Sequence, residues 1–150
     1  MKQEDKKILL QDLCARLPYG VKVSAKYVDG IDAKEGKGRL SLIDSDLVIA
    51  FVDEIENNNS FTYVALHEVK PYLFPLSSMT EEQKNQLKEI WDIDMNKSLD
   101  YAISGEEVLS DLFQLSAAEK IINWLNKNHF DYRGLIEKGL AIDATGLNIY

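Results

Sequence analysis

Two histidines, His67 and His129, are the residues whose side chains titrate closest to neutral pH and could carry acid–base chemistry. His129 lies two residues before Asp131, so a small hydrolase or nuclease could use this pair together with carboxylates from elsewhere in the chain. The sequence contains no nucleophile elbow, and two histidines in separate elements do not have the spacing of metal ligands. We therefore expect no catalytic residue, no metal site and no cofactor, and a structural role for His129.

The segment 128–134 combines polar and aromatic residues, and it is the first place where we expect a binding surface. Its candidate binding residues are His129, Asp131, Tyr132 and Arg133. The competing interpretation, which we favour, is a helix-to-helix turn with Phe130 buried and Arg133 paired to an acid.

Lys70 and Tyr72 are two further candidate binding residues, in a stretch that Pro71 and Pro75 should hold extended. Between residues 34 and 39, three cationic side chains could meet an anionic ligand, although the segment lacks the spacer and the following helix of a phosphate loop. These three are Lys34, Lys37 and Arg39. We favour an exposed polar hairpin tip for this segment.

At one place in the chain the acidic residues suggest a calcium-binding loop. Asp92, Asp94 and Asn96 have the spacing of the first ligands of an EF-hand loop. Lys97 and Ile103 stand where that loop needs glycine and glutamate, so we interpret the segment as a polar loop after a helix. The dense carboxylates between residues 44 and 56 are expected to be solvated turn charges.

The charge balance limits the class of partner. The chain has 17 Lys and Arg against 25 Asp and Glu, a formal charge of −8, which argues against general nucleic-acid binding. An acidic protein of this kind favours a basic protein partner, and an acidic inhibitor that mimics nucleic acid is an alternative if the carboxylates gather on one face. Because the sequence shows neither a membrane-length apolar run nor a signal-peptide pattern, we expect a cytoplasmic protein without a membrane partner. Its oligomeric state is left open.

Hydrophobic periodicity predicts the elements. An apolar stripe predicts a helix over residues 4–16, with the single cysteine, Cys14, buried on it as an inert thiol. Alternation predicts strands over 21–27, 40–43, 47–52 and 61–66, with a polar loop over 29–38 and a turn over 57–60. Val69–Phe74 is predicted as a short edge strand because of its prolines.

Beyond Ser77 the period becomes helical. Capping boxes predict three helix starts, at Thr80–Gln83, Ser104–Glu107 and Ser116–Glu119. Asp131 could cap a short last helix that ends near Gly139, and residues 140–142 could return as a strand. We thus predict an α+β fold: an N-terminal helix, an antiparallel β-meander or small SH3-like barrel, and a helical C-terminal half. Residues 1–150 form a single domain, with possible sub-units 1–77 (β-rich) and 78–150 (helical).

Three stretches carry a resemblance: LQDLCARLPYGVKV at 10–23, EVKPYLFPLSSMT at 68–80 and WLNKNHFDYRGLIEKGLAIDAT at 124–145. They resemble short uncharacterised proteins encoded in prophages and other mobile elements of anaerobic gut bacteria. The resemblance implies a phage-related or mobile-element setting, and it brings no known activity and no site residue. The sequence therefore predicts a non-enzymatic protein-interaction or accessory protein that binds a partner through a strand edge, the loop at 29–38 or the turn at 128–134.

Overall fold

The computed structural model describes residues 1–29, 31–44, 49–53 and 62–150. In these ranges the chain has the predicted α+β class, with an N-terminal helix, a sheet and two later helices. The elements are α1 (Gln3–Arg16), β1 (Lys22–Asp29), β2 (Asp32–Asp44), β3 (Ile49–Asp53), β4 (Thr62–Ala65), β5 (Val69–Pro75), α2 (Glu81–Ile103), α3 (Glu107–Lys127), β6 (Phe130–Asp131) and β7 (Ile142–Asp143). The chain divides into two compact units: Met1–Leu76 with His129–Tyr150, and Ser77–Asn128.

The first unit contains a sheet with the strand order β4-β3-β2-β1-β5-β6, and β7 also pairs with β5. Strands β1 to β4 form the predicted antiparallel meander, and β5 pairs antiparallel with the other edge of β1. The prediction that β5 is an edge strand is wrong. The tail of the chain supplies β6 and β7, which both pair in parallel with β5.

Strand β2 overturns the prediction of a polar loop over 29–38, because residues 32–44 are one long strand. Gly36 and Gly38 are buried and lie opposite Ala25 and Val23 of β1. Glycine therefore occupies the inward positions that apolar side chains usually fill in a half-buried strand. For this reason the sequence of the segment is polar and rich in glycine, and it lacks the apolar–polar alternation that predicts a strand.

One face of the sheet and one face of α1 form the core of this unit. Leu9 and Leu13 of α1 are buried against strand residues such as Val23 and Leu73. The prediction of a buried Cys14 is wrong, since its side chain is exposed. Successive helical residues are about 100° apart around the axis, so the residue after Leu13 turns away from the core. Asp12 and Arg16 instead complete the buried side of α1.

The second unit is a helical hairpin of α2 and α3. The capping box before α2 is confirmed: the Gln83 amide donates to the Thr80 hydroxyl, and the Thr80 amide donates to the Gln83 side chain. The polar loop predicted around residues 92–96 is wrong, because this segment lies inside α2. The helix start predicted at Ser116 is also wrong, because α3 runs unbroken through that residue.

The tail after α3 is not helical. The short helix predicted to end near Gly139 is a series of turns, although Asp131 does accept hydrogen bonds from the amides of Leu135 and Ile136. The returning strand predicted at 140–142 is found as β7. Leu135 and Ala141 of this tail join the core of the first unit. The turn predicted over 57–60 lies outside the described residues.

Candidate functional site

A buried ion pair lies beneath the candidate turn at 128–134. Asp12 and Arg16, one helical turn apart on α1, are both fully buried, with Nε and Oδ2 2.7 Å apart and Nη2 and Oδ1 3.0 Å apart. The same guanidinium donates from Nη2 to the carbonyl of Phe130 at 2.7 Å. Removing one partner of such a pair leaves an uncompensated buried charge, so these contacts fix the tail against α1.

His129 occupies a packed position in this turn. Its side chain is 7% exposed, and its ring stacks on that of Tyr150 with the centroids 4.0 Å apart. Burial, with a smaller contribution from the charge of Arg16, lowers the pKa of His129 to about 4. Within the described ranges Nδ1 has no hydrogen-bond partner, as expected of a neutral ring in apolar surroundings. This geometry supports a structural role and gives no support to general acid–base chemistry.

The other candidate residues of the turn also make structural contacts. Asp131 is buried, and its two carboxylate oxygens accept from the amides of Leu135 and Ile136 at 2.9 and 2.8 Å. Nε of Arg133 lies 3.3 Å from the carboxylate of Asp12. The turn with Phe130 buried and Arg133 paired to an acid is therefore confirmed.

Tyr132 lies between two guanidinium groups, with those of Arg16 and Arg133 5.6 and 4.8 Å from the centre of its ring. Cations over an aromatic face stabilise such a cluster. The structure thus joins His129, Asp131, Tyr132 and Arg133 to the Asp12–Arg16 pair.

Lys70 and Tyr72 have a different set of neighbours, on the face of the sheet that points away from the core. Lys70 is exposed and Tyr72 is buried. Each lines a cavity to which Ser24 and Glu35 also contribute. Of the cations between residues 34 and 39, Lys37 joins this group, because its ammonium lies 5.8 Å from the centre of the Tyr72 ring.

The helical hairpin has polar residues along its buried seam. Asp94 of α2 is buried, and its carboxylate accepts from the Lys120 ammonium at 2.6 and 2.8 Å. That hydrogen bond holds the pKa of Asp94 below its usual range. The Ser98 hydroxyl donates to the carbonyl of Ser110 at 3.0 Å, and both serines are buried. The contact between α2 and α3 therefore contains buried polar groups, beside the stacked rings of Tyr101 and Phe113.

The apolar side chains of α3 instead form an exposed stripe. Val108, Leu112, Leu115 and Ile122, which we call the outer stripe, are 75%, 53%, 67% and 42% exposed. Their spacing of four, three and seven residues places them within about 80° of one another on the helix. Phe113 and Ala117, which are less exposed, lie on the opposite side of α3. Helix α2 adds further exposed apolar residues: Trp91, Ile93, Leu99 and Ile103.

Acidic residues border the outer stripe. Glu107 and Asp111 lie beside it, and Glu119 lies within its arc, between Leu115 and Ile122; all three are exposed. The basic residue Lys120 points the other way, into its pair with Asp94. The segment from Ser77 to Asn128 contains ten acidic and five basic residues, so it is acidic as a whole. The surface of α3 thus combines an apolar centre with a negative border.

The outer stripe was missed in the sequence because the apolar residues of α3 were taken as one core-facing side. The signal that could have revealed it is the presence of two apolar series on opposite sides of one helix. One series contains Leu112 and Leu115, and the other contains Phe113 and Ala117. A surface helix of a monomer normally has a single such side.

Among the described residues, no group of three or more His, Cys, Asp and Glu side chains could hold a metal ion. The helices in those ranges also lack the combination of length and hydropathy that a membrane span requires.

Comparison with known proteins found no matching family model, no matching curated protein and no matching solved structure. The phage-related or mobile-element setting therefore stays a prediction.

Proposed function

We propose that this protein is a non-enzymatic interaction protein that binds a partner protein through the outer stripe of α3, with a phage or mobile element as its setting. The observation that carries the proposal is the polarity of the hairpin. Its seam buries Asp94, Ser98 and Ser110, while large apolar side chains of both helices face solvent. Exposed apolar groups that form one continuous stripe with a polar border are typical of protein-binding surfaces.

The charges around the stripe define the partner. Glu107 and Asp111 border the stripe, so a partner with an apolar centre and Lys or Arg at its edges gains electrostatic complementarity. A second copy of this chain would bring the same acidic borders together in a symmetric contact of α3 with α3. We therefore infer that the partner is a basic amphipathic helix of another protein, which docks by its apolar side.

Two synthetic helical peptides test this proposal, one with a Leu face and Lys flanks and the other with the same Leu face and Glu flanks. Their binding to the full chain is measured by fluorescence anisotropy. We expect saturable binding of the Lys peptide only. In Leu112→Gln/Leu115→Gln we expect that affinity to fall about tenfold or more, because the stripe loses its two central apolar side chains.

The control is Val28→Gln/Ile31→Gln, which removes two exposed apolar side chains from the sheet unit. We expect it to bind the Lys peptide as the wild type does. Equal loss of affinity in both variants, or equal affinity for both peptides, would contradict docking on the stripe. Sedimentation velocity of the chain alone provides a second criterion. A dimer that Leu112→Gln/Leu115→Gln dissociates would identify a second copy as the occupant and overturn the proposed partner.

A further inference from the structure

The sheet of the first unit has an outward face on which basic side chains gather. In β1, Lys22, Ser24 and Lys26 alternate with the core residues Val23 and Ala25. The antiparallel register pairs Lys22 with Arg39 and Ser24 with Lys37 of β2, while Lys70 of β5 pairs with Ser24 from the other side. Cross-strand partners project to the same side of a sheet. Five cationic residues therefore share this face: Lys22, Lys26, Lys37, Arg39 and Lys70.

This concentration of positive charge runs against the composition of the chain, whose formal charge is −8. The clearest arrangement is the row Lys37–Ser24–Lys70, in which two lysines on neighbouring strands flank one serine. Adjacent strands are about 4.8 Å apart, so the two ammonium groups can approach one bound anion from opposite sides. Among the described residues neither lysine has a carboxylate within ion-pair distance.

The row borders two cavities that meet at Ser24 and Glu35. One has a volume of about 230 Å³ and includes Lys37 and Tyr72 in its lining, and the other has a volume of about 200 Å³ and includes Lys70. Both are smaller than the cavities of roughly 300–1,000 Å³ that bind drug-sized molecules. The space therefore fits a small ligand rather than a polymer.

The two cavities share a hydrogen-bonded polar pair, Ser24 and Glu35. Ser24 is 4% exposed, and its hydroxyl donates to Oε1 of Glu35 at 2.7 Å. Tyr72 lines one of these cavities beside this pair, and burial raises the pKa of its hydroxyl. Glu35 can accept further hydrogen bonds, since a carboxylate offers about four acceptor positions. The cavities thus place acceptor oxygens between two ammonium groups.

We propose that the Lys37–Ser24–Lys70 row binds a small hydroxylated anion, such as a sugar phosphate or a sugar acid. Its phosphate or carboxylate oxygens accept from the two lysines, and a ligand hydroxyl donates to Glu35. Sulfate lacks a donor for Glu35 and meets repulsion from that carboxylate, whereas a neutral sugar leaves the lysines without an anion. This site lies in the other unit of the chain and is independent of the protein docking proposed for α3.

Titration of the ¹⁵N-labelled full chain, followed by amide chemical shifts, tests this site with four probes. Ribose 5-phosphate and gluconate carry both kinds of group and distinguish a phosphate from a carboxylate ligand. Sulfate and ribose each carry one kind. We expect saturable shifts at Ser24, Lys37 and Lys70 with one of the two bifunctional probes, and an affinity at least about tenfold weaker for sulfate and for ribose.

Two double variants that remove the same number of positive charges test whether binding depends on Lys37 and Lys70 in particular. We expect Lys37→Gln/Lys70→Gln to weaken binding about tenfold or more, because both charge-assisted contacts are lost. Lys88→Gln/Lys127→Gln removes the same charge from exposed positions of the hairpin and should leave the affinity unchanged. The proposal is overturned by equal weakening in both variants, which indicates attraction by overall charge, or by the absence of saturation with both bifunctional probes. Sulfate binding as tightly as ribose 5-phosphate would also overturn the proposal, because no ligand hydroxyl would then be needed at Glu35.

Discussion

Replacement of Arg16 by methionine tests whether the buried ion pair holds the tail of the chain on α1. The variant keeps most of the aliphatic stem but removes the charge, and it leaves the Asp12 carboxylate fully buried without its main partner. Removal of one member of a buried pair costs about 3–5 kcal/mol of unfolding free energy. The Phe130 carbonyl also loses one donor, although it still accepts from the Tyr132 amide. We therefore expect Arg16→Met to lower the unfolding free energy by about 3–5 kcal/mol.

The double variant Asp12→Leu/Arg16→Met separates the charge effect from the loss of packing. With neither charge of the pair present its desolvation penalty disappears. The remaining costs are the lost Arg16 hydrogen bond to the Phe130 carbonyl, which still accepts from the Tyr132 amide, and the lost acidic partner of Arg133. We expect the double variant to be more stable than the single one. The matched control is Lys84→Met, because Lys84 and Glu81 form an equally short but exposed pair of 2.6 Å. That substitution should change stability by no more than about 0.5 kcal/mol.

The assay is urea unfolding followed by far-UV circular dichroism and by hydrogen exchange of the β1 amides. Tryptophan fluorescence is unsuitable as the sole probe, because Trp91 and Trp124 both lie in the hairpin. A loss below about 1 kcal/mol in Arg16→Met would refute the assignment of an uncompensated buried charge. If Asp12→Leu/Arg16→Met were less stable than Arg16→Met, that result would likewise contradict a dominant effect of the buried Asp12 charge.

Further predictions concern the same turn. Because the pKa of His129 is about 4 in the folded chain and near 6.5 when unfolded, the unfolded state binds a proton first as the pH falls. The wild type should therefore lose up to about 3 kcal/mol of stability between pH 6.5 and pH 4. Since His129 has a positive φ of 58°, which asparagine tolerates, His129→Asn should fold and lack this slope in urea titrations at several pH values, whereas the exposed control His67→Asn should retain it. Asp131→Ala should cost about 1–2 kcal/mol in thermal unfolding, because two amides lose their acceptor. Asp143→Ala, at an exposed carboxylate that accepts from one amide, should cost less, and an equal loss would argue against the assigned role of Asp131.

The elements that follow from local chemistry were predictable. Helix α1 follows from its apolar spacing, and the start of α2 follows from the Thr80–Gln83 capping box, because both depend on residues within one or two helical turns. The α+β class follows from the segregation of strand and helix patterns along the chain. Strand β2 escaped prediction because Gly36 and Gly38 face the core.

The sequence by itself also identified the segment around Phe130 and Arg133 by its unusual mixture of polar and aromatic residues. The prediction that Phe130 is buried and Arg133 is paired to an acid is confirmed. Only the tertiary structure decided that Arg16 of α1 holds this turn, that β5 lies inside the sheet, and that Lys37 and Lys70 flank Ser24. It also decided which of the two apolar sides of α3 meets α2. Periodicity describes how residues are arranged around one element, whereas these features depend on which elements pack together, and such pairings join residues far apart in the chain.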